Sequence, residues 1–465
     1  MKINVASKEI VHFIGIGGIG MSGLAQVMKN MGFAIQGSDL NKNKNTDRLI
    51  SSGIKVYFDH NKRNIKNATL IVISSAIKNN NTEVKAAKHN KLPIFTRGEM
   101  LANIISLKKN IIVTGSHGKT TTTSLIANTL VEAGLDPTVI NGGVINSLKN
   151  TAQLGKGEWA VIEADESDGS FLKLPVTYSI VTNIDKEHLD FYGTLEKLKS
   201  SFCSFINKTP SFGKSLVCID NKNLKSILKR CKTNNYLTYG FDKKANYHIN
   251  NVKKKINYSI FDLKIQFSGS IVKNIKNIKV NLIGDHNITN ATATVAIAIN
   301  LGIKINKIKK ALKKFLGIQR RFTKVFSINK REFYDDYAHH PTEIKTVLKS
   351  IKDVYKNRKI ICVFQPHRYS RVKFLKNEFA SSFKSSDQVV LCPVYAAGEK
   401  ITYNFNQNKF SQLIAKQSKV QVINILNQVD LKNYFKKNLI QNEIVICMGA
   451  GSISNWIREI GSSVK

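Results

Sequence analysis

Short apolar runs recur along the chain, each ended by glycine or a polar cluster, and most are followed by apolar positions at helical spacing. Buried strands alternating with amphipathic helices predict an α/β protein with parallel sheets. Ile10-Val11-His12-Phe13-Ile14 reads as the first strand. It meets the turn Gly15-Ile16-Gly17-Gly18-Ile19-Gly20, then a helix from Met21 to Asn30 that Gly32 closes. A second strand, Ala34 to Gly37, ends at Ser38-Asp39. Strands are also expected at Leu70 to Ile73 and Ile94-Phe95, and Leu107-Lys108-Lys109 reads as a linker. Ile111-Ile112-Val113 opens a second series: strand, tight loop from Gly115 to Gly118, then a helix from Thr121 to Glu132 that stops at Gly134. Strands at Trp159 to Ile162 and Tyr178 to Asn183 each run into charged residues, the first into Glu163, Asp165, Glu166 and Asp168, the second into Asp185, Glu187, His188 and Asp190.

From Tyr236 to Val280 the period shortens to alternation, as in Tyr258-Ser259-Ile260-Phe261, which predicts antiparallel strands with polar hairpins. Gly284-Asp285-His286-Asn287 then leads into a small-residue helix from Asn290 to Ala296. Gly317 to Phe322 marks the passage to a third region. There, strand and helix alternate again through Tyr334-Asp335-Asp336, a helix opened by Pro341, and strands at Ile360 to Phe364, Gln388 to Cys392 and Ile444 to Cys447. The last strand ends at a second glycine turn, Gly449-Ala450-Gly451-Ser452. The expected fold is α/β in three domains: a Rossmann-like N-terminal domain over 1–108, a central P-loop ATPase domain over 109–318 with a parallel sheet plus a small antiparallel sheet, and a C-terminal Rossmann-like α/β domain over 319–465 that closes over the site.

Composition changes this picture little. The formal charge of +39 invites a nucleic-acid reading, but the lysines are spread along the chain and Lys253-Lys254-Lys255 is the longest run. There is no patch of interleaved aromatic and basic residues. A positive background suits a small acidic substrate better than nucleic acid. Ile10 to Met28 carries no formal charge, yet its five glycines and polar approach argue against a membrane span. Six cysteines without C-x-x-C spacing fit small buried residues in a reducing cytosol, so the protein is expected to be cytoplasmic.

Two stretches carry chemistry. The first glycine turn, followed after about twenty residues by Asp39, is the dinucleotide-type fingerprint in its proper context. NAD fits it, and so does a nucleotide-diphosphate sugar, since each presents a diphosphate beside a ribose. The second stretch is Asn110 to Gly134. Its loop lets backbone N–H groups curl around phosphate oxygens at a helix N-terminus, with Lys119 reaching the β- and γ-phosphates and Thr120 on Mg²⁺. The usual phosphate loop has a further glycine five positions before the Gly-Lys pair, where this chain has Val113. Carboxylates at the ends of neighbouring strands are where a parallel sheet presents Mg²⁺ ligands. In the third region, His339 and His340 share a strand end with Asp335 and Asp336, and Arg368 and Arg371 at another strand end suit a carboxylate or phosphate.

Taken together, FIGIGGIGMSGLA (13–25), TGSHGKTTT (114–122), EADESDGSF (163–171), TNIDKEHLD (182–190), GDHNITNATA (284–293), RRF (320–322), DDYAHHPTE (335–343), QPHRYSR (365–371) and GAGS (449–452) resemble the Mur ligases, the ATP-dependent amide ligases of peptidoglycan synthesis, over essentially the whole chain. The family uses the shortened G-x-x-G-K-T loop. The resemblance implies ATP and Mg²⁺ as cofactors and UDP-N-acetylmuramate and L-alanine as partners, with no nucleic acid, no membrane, and a monomer or weak homodimer. QPHRYSR favours alanine over the tripeptide that a related murein ligase joins to the same sugar.

It also implies roles for named residues. Gly15, Gly17, Gly18, Ile19, Gly20, Ser38, Asp39, Ser74 and Ser75 would bind the UDP-sugar. Gly115, Ser116, His117, Gly118, Lys119, Thr120, Thr121, His286, Asn290, Arg321 and Asp336 would bind nucleotide. Thr120, Glu163 and His188 would hold metal. Lys119, Glu163, His188, His339, Arg368 and Arg371 would carry the catalysis. Glu187 stands where relatives commonly have Asp. An NAD-dependent oxidoreductase would rest on Gly15, Gly17, Gly20 and Asp39, but it leaves the Lys119 loop and the acidic clusters unexplained.

Overall fold

A computed structural model describes residues 9–267, 270–399 and 405–464. It is an α/β protein built on three sheets. The first has five parallel strands in the order Lys55–Tyr57, Ala34–Ser38, Ile10–Ile14, Leu70–Ile73, Ile94–Thr96. Ile10–Ile14 is central, and Val11, Phe13 and Ile14 are fully buried, which is why that strand is apolar apart from the buried His12 and does not alternate. This strand order is that of the first five strands of a doubly wound fold, whose ligands bind beyond the strand C-terminal ends. The helix Ile19–Asn30 starts two residues earlier than its apolar period suggests, with Gly18 as its N-cap.

The second sheet has ten strands. Lys109–Thr114 lies between Tyr178–Val181 and Trp159–Glu163, parallel to both. Val113 is level with Glu163, and Thr114 with Val181, so both charged strand ends open beside the loop after Thr114. The predicted antiparallel strands Tyr247–Lys254, Ser259–Phe267 and Ser270–Val280 do not form a sheet of their own. Tyr247–Lys254 pairs in parallel with Tyr236–Gly240, and the three extend one edge of the same sheet.

The third sheet runs Thr323–Ile328, Arg331–Asp336, Ile444–Met448, Ile360–Phe364, Gln388–Leu391, Gln421–Asn424, antiparallel in the first pair and parallel thereafter. Asp336, Met448 and Phe364 are in register across three neighbouring strands. Three motifs widely separated in sequence therefore leave the sheet at one end. Helices cover both faces, giving one core around Phe364, Phe379, Phe383 and Phe410 and another around Phe333, Ile453 and Ile457. Pro341 occupies the first turn of the helix Pro341–Val354, where a missing N–H costs nothing.

By its packing the chain falls into two compact units. One contains the five-stranded sheet and most of the ten-stranded sheet, with Ile260–Val280 and Thr289–Leu316; the other comprises Lys253–Ser259, Asn281–Ile288 and the chain from Gly317 onward.

Candidate functional site

In the first unit, the loop after Lys109–Thr114 folds back sharply at two glycines, Gly115 at φ +130° and Gly118 at φ +83°. A Cβ on Gly115 would stand 2.2 Å from Thr182 Oγ1, and one on Gly118 would stand 2.8 Å from Asn290 Oδ1. The second motif strand end builds the loop's floor. Asn183 accepts the Ser116 N–H at its carbonyl (3.0 Å) and the His117 N–H at Oδ1 (2.8 Å). Its amide and the Thr182 hydroxyl donate to the His117 carbonyl at 2.9 and 2.6 Å. Asp185 N donates to Ser116 Oγ (2.8 Å), and its carboxylate sits 3.2 Å from His117 Nε2.

Lys119 opens the helix Lys119–Ala133 and curls over this loop. Its ammonium donates to the carbonyls of Gly115 (2.6 Å) and Ser116 (3.1 Å) and lies 2.9 and 3.0 Å from the two oxygens of Glu166. Burial pulls the ammonium's pKa down, but the carboxylates of Glu166, Asp165, Glu187 and Glu163 outweigh that and raise it, so it is fully charged at neutral pH. Beside it, Thr120 Oγ1 donates to Glu163 Oε1 at 3.0 Å, and Glu163 Oε2 accepts the Gly142 N–H. The helix continues with the buried Thr121. His188, in the left-handed region at φ +57°, brings Nε2 within 3.6 Å of Glu166 Oε1. Burial lowers its pKa, but the surrounding acids raise it overall. Asp165, Glu166 and His188 offer three ligand atoms within 4.8 Å of one another.

At the first sheet, Gly15 (φ +81°) and Ile16 donate their N–H groups to the Ser38 carbonyl at 2.8 and 2.9 Å. Gly17 N–H donates to Asp39 Oδ2 at 2.8 Å, so Asp39 faces the turn. Gly18, Ile19 and Gly20 open the helix with no side chain capping it. Ser74 donates its N–H to the Ile14 carbonyl, its Cβ lying 3.0 Å from where a Cβ on Gly15 would be, and Ser75 follows it. The Ser38 side chain is turned inward: its hydroxyl donates to Glu83 Oε2 at 2.6 Å in a network with the buried Asn64 (2.8 Å) and His12 (3.5 Å) and the partly exposed His60 (2.9 Å).

In the second unit, the three aligned strand ends gather a different set. Asp336 accepts the N–H groups of Phe322 (2.7 Å) and Ala338 (2.8 Å), and burial pushes its pKa up to about 6. Arg320 and Arg321 lie over the Tyr337 ring, 4.7 and 5.4 Å from its centroid. Arg321 also approaches Glu343 at 3.8 Å. His339 Nδ1 lies 3.0 Å from the Tyr337 carbonyl, and burial holds its pKa down at about 3. Its ring meets that of His367 edge to face at 5.8 Å. Arg371 Nη1 is 3.2 Å from His367 Nδ1, and Arg368, at φ +58°, pairs with Glu399 at 3.5 Å. Partial burial lowers the pKa of His286 to about 4.

Three models of Mur ligase domains match the chain end to end: the "Mur ligase family, catalytic domain" over residues 10–109, the "Mur ligase middle domain" over 113–298 and the "Mur ligase, glutamate ligase domain" over 320–451. The chain belongs to the Mur ligase family. This Mur ligase is 56% identical over 460 residues to the UDP-N-acetylmuramate–L-alanine ligase of Pelagibacter ubique, with 99% of each chain covered. It is 40% identical over 455 residues to the ligase of the same name from Ruegeria pomeroyi, covering 98% of this chain and 97% of that one. The crystal structure of the UDP-N-acetylmuramate–alanine ligase of Thermotoga maritima superposes with a TM-score of 0.81 at 27% identity, over 98% of each chain.

Of the residues expected to serve the phosphate side of this Mur ligase, Lys119, Thr120 and Glu163 come together directly, and Asn290 lies against Gly118. His188 joins Glu166. His286 lies within electrostatic reach of Arg321 and Glu343 in the second unit. Sequence reasoning did not single out Glu166, the partner of Lys119. It is one of four acids in the run Glu163 to Asp168, and composition alone does not say which of them turns toward the lysine. It also missed Tyr337 and His367, whose importance comes from the rings and guanidinium groups that lie against them, and Glu83, which lies 45 positions from Ser38.

Proposed function

We propose that this Mur ligase joins L-alanine to the lactyl carboxylate of UDP-N-acetylmuramate, consuming ATP and releasing ADP and phosphate. The carrying observation is the Lys119 ammonium, held charged at the mouth of a backbone cradle beside the Thr120–Glu163 pair. The full-length likeness to L-alanine ligases supports the substrate pair. A free carboxylate is a poor electrophile, so it is first phosphorylated; the amine of alanine then attacks the acyl phosphate and phosphate leaves. Phosphoryl transfer asks mainly for positioning and charge neutralisation. Lys119 supplies the charge at the β- and γ-phosphates, and the loop N–H groups orient them.

The hard oxygen donors of Thr120 and Glu163, 3.0 Å apart, fit Mg²⁺, and His188 with Asp165 and Glu166 forms a second candidate group. Bound there, Mg²⁺ would neutralise phosphate charge. The turn over Gly15 to Gly20, closed by Asp39, takes the diphosphate and ribose of the UDP-sugar, while Asn290, His286, Arg321 and Asp336 serve nucleotide. Arg368 and Arg371 grip carboxylates, and His339, uncharged near neutral pH, accepts or donates a hydrogen bond without competing for them.

The division of labour follows residues 1–108, 109–318 and 319–465, with the reaction in the cytoplasm where ATP is available. The test is phosphate release from ATP with UDP-N-acetylmuramate and each of several amino acids. Release that depends on L-alanine and on added Mg²⁺, and is lost on chelation, supports the reading. Release that depends instead on a tripeptide would assign the related murein ligase activity.

A further inference from the structure

Four of the six cysteines are buried in apolar surroundings, and the other two, Cys203 and Cys231, are partly exposed and face each other. Cys203 lies on the helix Leu195–Asn207, and Cys231 just beyond the helix Lys222–Leu228. Their sulfurs are 3.0 Å apart across 28 positions of sequence. A disulfide is about 2.05 Å long, so the two need to move together by only about 1 Å to bond.

The backbone holds them in this relation. Cys231 N–H donates to the Ile227 carbonyl at 3.1 Å. On one side of Cys231, Arg230 pairs with Glu196 in the first turn of the Cys203 helix at 2.7 Å. On the other side, the N–H groups of Lys232 and Thr233 donate to Asn207 at the end of that helix at 3.0 and 3.3 Å. The segment carrying Cys231 is thus fastened to both ends of the helix carrying Cys203. Two reactants held at contact distance on fixed supports react far faster than the same groups free in solution.

We propose that Cys203 and Cys231 are a modification site: an oxidisable thiol pair that a hydroperoxide converts to a disulfide. One thiolate attacks the peroxide O–O bond, taking one oxygen as a sulfenic acid and releasing water, or an alcohol from an organic peroxide. The second thiol attacks that sulfur, the S–S bond forms, and the hydroxyl leaves as water. Two thiol hydrogens are lost, the sulfurs are oxidised and the peroxide is reduced. A thiol reductant reverses the reaction. The bridge ties together the helix whose Phe202 and Phe205 pack on Phe171, just after the carboxylate run, and the segment that follows Lys222–Leu228.

The full-length reduced protein is treated with one equivalent of hydrogen peroxide, blocked with iodoacetamide under denaturing conditions, and digested without reductant. The expected result is a linked peptide containing Cys203 and Cys231 that a thiol reductant separates, with Cys218, Cys362, Cys392 and Cys447 recovered alkylated. In Cys231→Ser, Cys203 should instead be captured as a sulfenic acid by dimedone. Recovery of both cysteines alkylated from the wild-type chain, or each oxidised singly without a linked peptide, overturns the proposal without any variant having to fold.

Discussion

Replacing Lys119 with alanine separates two roles that the structure gives one side chain. Lys119 carries the charge proposed for the phosphates and is also the partner of Glu166, which is fully buried. Loss of one preorganised electrostatic contact in a water-poor site slows turnover by about 10²–10³, or roughly 3–4 kcal/mol in the barrier. Removing one member of a buried pair costs folding stability separately, on the order of 3–5 kcal/mol, because the remaining carboxylate loses its compensation. The two costs can be told apart. Lys119→Ala combined with Glu166→Gln removes the uncompensated charge, so melting should recover most of its loss while phosphate release stays low. The assays are alanine-dependent phosphate release, thermal melting, and calorimetric titration with the UDP-sugar, whose proposed site is a different turn, Gly15 to Gly20. Turnover within a few-fold of the wild type in Lys119→Ala would refute the reasoning. Equal loss of turnover and of UDP-sugar binding in the double variant would point to misfolding.

Gly115→Ala places a Cβ 2.2 Å from Thr182 Oγ1 at a φ of +130°, so it should lower the melting temperature and abolish turnover, at a strain of about 1–3 kcal/mol or more. Glu83→Ala strands the buried Ser38 and Asn64 donors and should cost about 3 kcal/mol by denaturant titration, with a raised KM for the UDP-sugar; Ser38→Ala alone should cost about 1 kcal/mol. Burial depresses His286, His339 and His367 to about 4, 3 and 4, so the unfolded chain binds more protons than the folded one below about pH 6.5. Stability from these groups is present above that pH and is lost progressively toward pH 4. Asp336, raised to about 6, acts in the opposite sense between about pH 4 and 6, so Asp336→Asn should steepen the acid-side fall in melting temperature and His367→Gln should flatten it.

Much of the site is legible in the order of residues because its parts are local. A glycine loop after an apolar strand and before a helix, followed at once by Lys119 and Thr120, is a complete phosphate cradle within a few residues, and the backbone freedom it needs is written in Gly115 and Gly118. The turn at Gly15 with Asp39, and the helix opened by Pro341, are legible for the same reason. Apolar periodicity likewise indicates which runs are strands and that they belong to parallel sheets.

Tertiary structure decided what depends on strand order and on the inward turn of side chains. Only the placement of Lys109–Thr114 between Trp159–Glu163 and Tyr178–Val181 brings Glu166, Asn183 and His188 to one loop. Only the register of Asp336, Met448 and Phe364 gathers His339, His367 and Arg371. The strands from Tyr247 to Val280 join the large sheet because hydrogen bonds at a strand edge are satisfied by whichever strand lies beside it. Ser38 illustrates the limit at a single residue: its position beside Asp39 follows from the chain, but its hydroxyl points to Glu83, because a buried carboxylate must be hydrogen-bonded and Ser38 is within reach.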